Sequence, residues 1–286
     1  MQWQGRRQSS NVEDARSGSG RKIMMGGGLG TIVIALLILL FGGDLKDVLR
    51  VVGAQQDQVQ RTPTSQGELN PEDKAAGEFA SVVLADTEDV WKSLFQGHGK
   101  IYREPKLVLY ADYTNSGCGA TGSSTGPFYC PADEKVYLDL RFLAQLQQRL
   151  KAPGDFAAAY VIAHEVGHHV QKVLGTTQRM EQARARLSEE EYNRLSVRLE
   201  LQADFLAGVW AHHAQRMKNI LEPGDMEEAL NAASAVGDDR IQKHQQGYVS
   251  PDAFTHGTSE QRQQWFLKGF QTGDLTQGDT FAARNL

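Results

Sequence analysis

Apolar positions along the chain change character twice before the first long amphipathic pattern. Through residue 22 they are scarce among Gly, Ser and charged groups, which predicts a disordered tail over 1–22. From Ile23 to Phe41 nineteen residues carry no charge, and the run peaks in Ile-Val-Ile-Ala-Leu-Leu-Ile-Leu-Leu. As a helix rising ~1.5 Å per residue, this length just spans a ~30 Å hydrocarbon core. It is apolar all round rather than striped, so a transmembrane anchor over 23–41 is the expectation. Arg6, Arg7, Arg16, Arg21 and Lys22 precede it against Glu13 and Asp14. The positive-inside rule then puts the N-terminus in the cytoplasm and the remainder on the outer face. A cleaved signal peptide competes, but Gly42-Gly43-Asp44 offers only a weak small-residue site with no A-x-A pattern, so an uncleaved anchor is favoured.

Residues 42–69, rich in Gln, Thr, Asp and Pro, read as a linker. Helical patterning begins at Asn70-Pro71-Glu72-Asp73, which supplies an N-cap, a proline at the first helical position and first-turn acids. The remaining unit, 70–286, is predicted to be α+β and mainly helical, with a small sheet. Leu107–Tyr110 and Val136–Leu140 read as strands. Helices are expected from about Arg141 to Leu150, from Phe156 to Leu174 with Asp155 as N-cap and Gly175 as terminator, and from Ser188 onward behind a capping box. Another runs from Asp225 towards Ile241, and a last one follows the capping box of Thr258 and Gln261.

Net charge of −5, a pI near 5.9 and basic residues dispersed outside the N-terminus give no sign of a nucleic-acid partner. Cys118 and Cys130 are the two cysteines and form no C-x-x-C pair, which disfavours a cysteine zinc site. Outside the cytosol they are expected to form a disulfide across a Gly/Ser-rich loop; two free thiols are the alternative.

The chemistry-bearing stretch is His164-Glu165-Val166-Gly167-His168. Residues four apart share a helix face, so His164 and His168 can offer two imidazole nitrogens to one metal ion. Glu165 is turned aside and can act as general base towards a metal-bound water. His169 lies about 100° round the helix and is expected to support the site or face solvent. A catalytic zinc takes three protein ligands, and Glu200 is the economical third. Asp204, on the same face at i+4, is then placed to orient a liganding histidine. A solvated pair with Arg198 nearby is the plain alternative. His212 and His213 are rivals for the third position, and Glu181, Glu189, Glu190 and Glu191 sit in more charged stretches. His256, just ahead of the last helix, is either structural or a donor to the oxyanion of an attacked carbonyl.

Together these stretches resemble the bacterial neutral zinc metallopeptidase family of the YpfJ type. The resemblance is carried by Gly126-Pro-Phe-Tyr-Cys-Pro-Ala-Asp133, Val136-Tyr-Leu-Asp139, Gly154-Asp-Phe-Ala157, Ala159 through Gln171, Glu200-Leu-Gln-Ala-Asp204 and His256 through Arg262. It implies a zincin-like fold, one Zn2+ held by His164 and His168, and Glu165 as catalytic base. A more distant similarity to the Ste24 and HtpX peptidases implies Glu200 as third ligand, with His256 and Arg262 near the substrate. The expected function is a membrane-anchored zinc endopeptidase on the outer side of a bacterial inner membrane. Its partners are a peptide or protein substrate, and lipid through 23–41. A non-proteolytic zinc-containing scaffold or chaperone of the envelope is the alternative; the retained Glu165 argues against it. A zinc hydrolase of cell-wall cross-links would bring carbohydrate-binding motifs, and none is found.

Overall fold

A computed structural model describes residues 1–16, 70–122, 126–140, 142 and 154–286. The anchor expected at 23–41, the linker, the end of the tail and nearly all of the helix expected after Arg141 lie outside the described residues. Among those described, no helix is long and apolar enough to cross a membrane.

The chain forms a mainly helical α+β unit around two small sheets. Strands β1 (Val12–Asp14), β2 (Lys106–Tyr110), β6 (Lys135–Asp139) and β5 (Phe128–Cys130) lie side by side in that order. The first three are mutually parallel, whereas β5 runs antiparallel to β6 and forms one edge. Strands β3 (Tyr113–Ser116) and β4 (Gly119–Gly122) make a separate hairpin. Alternation on the central strands buries both faces of the sheet. Leu107, Leu109, Val136 and Leu138 join the main core with the helices, while Val108, Tyr110 and Tyr137 cluster with Cys130 on the other side. Cys118 and Cys130 are joined as a disulfide, which ties the β3–β4 turn to the edge strand.

Helix α1 (Pro71–Gly97) starts as its sequence predicts: the Asn70 side chain accepts from Asp73 N–H. Helix α2 (Asp155–Val173) carries the His-Glu pair and is buried on almost every side, which fits its near-continuous apolar run. Its N-cap is Gly154 rather than Asp155, with φ of 110°, and the Phe156 N–H is instead capped by the Glu228 carboxylate at 3.0 Å. Helix α3 (Thr176–Arg184) leads to α4 (Glu189–Lys218), whose Ser188/Glu191 capping box forms in both directions. The helix expected from Asp225 towards Ile241 is two: α5 (Asp225–Ala235) and α6 (Asp238–Gln246). The break falls at Val236–Gly237, where Gly237 is extended, and only glycine fits there because a Cβ would lie 2.4 Å from Ser259 N. Helix α7 (Ser259–Thr272) closes the unit against α4, behind the expected Thr258/Gln261 capping box.

Residues 1–16 are not a disordered tail. Strand β1 extends the sheet, Met1 is buried, and Trp3 packs edge-on against Phe79 of α1. Arg6 pairs with Asp86 at 2.6 Å and Arg7 with Glu88 at 3.0 Å. The segment is poor in apolar residues because its anchoring is largely polar: its cations and amides satisfy carboxylates that α1 buries, which no local periodicity announces.

Candidate metal centre

Two helix crossings build the site. Gly167 lies between Glu165 and His168, where a Cβ would stand 3.0 Å from the Ala203 carbonyl oxygen. The absent side chain lets α2 and α4 approach closely, setting the His164/His168 face of one against the Glu200/Asp204 face of the other. His164 Nε2 lies 3.2 Å from Glu200 Oε2, and His168 Nε2 lies 3.4 Å from Glu200 Oε1.

The far nitrogen of each ring is committed. His164 Nδ1 donates to Asp204 Oδ1 at 2.8 Å, and His168 Nδ1 donates to Gln171 Oε1 at 2.8 Å. The Gln171 amide is itself oriented, since its NH2 donates to Leu199 O at 2.7 Å. With Nδ1 protonated on both rings, both Nε2 lone pairs face a carboxylate, so three acceptor groups converge. Ligand atoms of His164, His168 and Glu200 all lie within 4.8 Å of one another. Such convergence is relieved by a cation shared among them, and two imidazoles with one carboxylate suit zinc.

In place of a shared cation, a proton on His164 can answer the same demand. Burial pulls His164 down, but the Asp204 and Glu200 charges outweigh it and raise its pKa to about 10. Burial opposes ionisation of Glu200 too, yet the two histidines hold it well below the usual carboxylate range. Behind this pair stands Arg262 of α7, 3% exposed, giving Asp204 Nε–H at 2.8 Å and Nη2–H at 2.9 Å. The Tyr160 hydroxyl donates to the same carboxylate from α2, one turn before His164. Asp204 is thereby kept ionised, burial notwithstanding, by Arg262 and His164.

A cavity of about 480 Å³ opens over these groups, with His164, Glu165, His168, Glu200, His256 and Arg262 on its polar side. Phe128, Tyr129, Phe142, Val161, Val236 and Ile241 supply apolar walls. His256 is half exposed and held by Asp238, which accepts its backbone N–H at 2.6 Å and sits 3.1 Å from its Nδ1. His169 faces away from the cluster and is wholly buried, donating Nε2–H to Arg103 O at 2.6 Å. Its Nδ1 accepts from the Tyr129 hydroxyl at 3.0 Å, fixing that ring on the cavity wall.

The rival ligands lie elsewhere: His212 Nδ1 donates to Phe270 O, and His213 Nε2 to Gly273 O, at the end of α7. Glu181, Glu189, Glu190 and Glu191 are exposed. Arg198, the partner that a solvated reading offered to Glu200 or Asp204, instead donates to backbone carbonyls of 280–283. A second acidic cluster, Asp155, Asp225 and Glu228, is met by the Met1 amino group, which pairs with Asp155, Asp225 and the neighbouring Glu222.

His164, buried, and His168, partly buried, face a carboxylate with a further acid beside them and an open cavity above, a group of side chains that could hold a metal ion. The chain belongs to the family described as "Putative neutral zinc metallopeptidase", which it matches over residues 1–281. It is 50% identical over 290 residues to the "Uncharacterized protein YpfJ" of Escherichia coli K12, covering 98% of this chain and 99% of that protein. It is 44% identical over 207 residues to the "Uncharacterized protein Rv2575" of Mycobacterium tuberculosis H37Rv, covering 69% of this chain and 68% of that one. No solved structure matches. Family membership supports a zinc-dependent peptidase.

Proposed function

We propose that the chain is a zinc endopeptidase in which His164, His168 and Glu200 hold the metal and Glu165 is the catalytic base. The observation that carries this is the convergence of two Nε2 lone pairs on the Glu200 carboxylate, with both Nδ1 protons already spent on Asp204 and Gln171. When bound, zinc supplies Lewis-acid polarisation of a carbonyl and lowers the pKa of water.

The protein's own groups do the rest. Asp204 and Gln171 fix tautomer and ring orientation, so the metal-facing nitrogens are preset. Arg262 cancels the charge of Asp204, which keeps that carboxylate an acceptor rather than a competing proton sink. Glu165 lines the cavity one residue beyond His164 and is not engaged in the His–Glu200 cluster; its carboxylate accepts the proton of the attacking water and returns it to the leaving amine. His256, held towards its cationic form by Asp238, offers a donor to the developing oxyanion.

A peptide substrate is supported by β5. Among the described residues it is an edge strand, and its Phe128 and Tyr129 line the cavity, so an extended chain can add beside it as a further strand. Attachment to a bilayer through Ile23–Phe41 belongs to the proposal on sequence grounds.

The deciding experiment is zinc per chain by elemental analysis, in the parent and in Glu200→Ala. About one zinc in the parent with marked loss in the variant supports the ligand set. A folded parent purified without chelator that contains no zinc overturns it.

A further inference from the structure

The docking of the N-terminal segment constrains how the chain meets a membrane. Residues 1–16 are built into the same unit as 70–286. Leu107 N–H donates to Asn11 O at 2.9 Å and Ala15 N–H to Leu109 O at 2.8 Å, flanking the parallel β1–β2 ladder. Glu88, 2% exposed, accepts from the side chains of Arg7, Ser9 and Asn11, all from this segment. Asp86, 1% exposed, is shared by Arg6 and Lys218. Glu13 is gripped by Lys106 at 2.9 Å and Lys135 at 2.7 Å. Buried carboxylates of this kind require their partners, so the segment is part of the fold and not an accessory to it.

Both ends of the stretch 17–69 therefore leave from one unit, and they leave from one place. Arg16 Nη1 donates to Asp73 O in the first turn of α1 at 2.5 Å. Its guanidinium lies over Gly77, where a Cβ would come within 2.6 Å of Nη2. A single crossing by Ile23–Phe41 would put Arg16 and Asn70 on opposite faces of the bilayer and tear β1 from β2. Two crossings need a second uncharged run of about twenty residues. After Phe41 charges recur at Asp44, Lys46, Asp47, Arg50, Asp57, Arg61 and Glu68, leaving none. The orientation signal is weakened as well: of the five cations before the run, Arg6, Arg7 and Arg16 are engaged by Asp86, Glu88, Asp89 and Asp14.

We propose that residues 1–16 and the metallopeptidase unit occupy the same compartment, so that the stretch 17–69 begins and ends on one side of any membrane the chain meets. The shared compartment rests on the docked segment and not on the peptidase reading.

Two measurements on the full chain in its host membrane test this. Gln8→Cys and Glu181→Cys, both at exposed positions, are labelled separately with a membrane-impermeant maleimide in intact and in lysed spheroplasts, the parent giving the background of Cys118 and Cys130. Equal behaviour of the two sites, reactive before lysis or only after it, is expected; one reactive and the other protected before lysis overturns the proposal. Zero-length carbodiimide coupling on the same membranes should yield a Glu13–Lys135 or Glu13–Lys106 cross-linked peptide. Its absence while the Lys92–Glu104 pair within the unit is recovered also overturns it.

Discussion

Asp204 Oδ1 accepts the Nδ1 proton of His164 at 2.8 Å, while Arg262 grips the same carboxylate from α7. The first helix of the site is thus locked to the last helix of the fold through one acidic side chain. Asp204→Asn removes the charge, leaves Arg262 unpaired in a buried setting and weakens the acceptor for His164. Breaking a buried pair on one side costs about 3–5 kcal/mol. Loss of a carboxylate behind a liganding histidine typically costs about 10–100-fold in metal affinity. Zinc competition against a chromophoric chelator, alongside thermal melting, should show both losses. A variant with parental zinc affinity would remove Asp204 from the metal's support.

Glu165→Gln separates chemistry from metal retention. Glu165 is outside the convergent trio, so zinc per chain should stay at the parental value while peptide hydrolysis falls by at least the ~10²–10⁴-fold carried by a general base. Retained hydrolysis would move the base elsewhere.

The pairs that were legible in the sequence share one property: each sits at local helical spacing. His164 and His168, and Glu200 and Asp204, are four apart, so one turn of α2 and one of α4 present two groups each to a common point. Tyr160 and Gln171 obey the same spacing around the histidines, four before His164 and three after His168. A search for hydrogen-bonding residues at those offsets would have found them. What stayed hidden depends on contacts distant in sequence. The Tyr129–His169 bond joins β5 to α2, and Ser259 of α7 approaches the backbone at Gly237 more closely than any Cβ would allow. Residues 1–16 escape a compositional reading because composition registers missing apolar area, whereas their hold on α1 is largely ionic. The strands over 107–110 and 136–140 were readable because alternation on a two-sided sheet leaves β-branched and aromatic residues on both faces.

The crossing of α4 with α7 rests on backbone proximity. A Cβ at Gly208 would fall 2.0 Å from Phe266 O, and one at Gly269 would fall 2.0 Å from Phe205 O. Gly208→Ala must push the helices apart and should cost at least ~1–3 kcal/mol, with Arg262 displaced from Asp204. Gly97→Ala meets open space at the end of α1 and should be neutral or stabilising by up to ~1 kcal/mol. Urea denaturation of the two variants beside the parent reads the contrast. Equal effects would mean that the α4–α7 contact is not limiting.

His256 and Asp238 give the pH dependence its sign. The Asp238 hydrogen bond raises His256 above its ordinary 6.5. A raised pKa means stability that is fully present below 6.5 and lost as pH climbs through the folded value. Asp238 is lowered from 3.8, burial being outweighed by His256 and the backbone N–H donors, so its share is present above 3.8 and lost as pH falls through its folded value. The stability advantage of the parent over His256→Gln should therefore peak at about pH 5–6 and shrink towards pH 9. Because His256 is half exposed, solvent screening limits it to a few tenths to about 1 kcal/mol. Melting both chains across this range cancels changes common to them, including zinc loss at low pH. If the difference instead grows with pH, the imidazole is neutral in the folded protein. The oxyanion role would then lose its cationic donor, and the fall in kcat expected for His256→Gln should be absent from the alkaline limb.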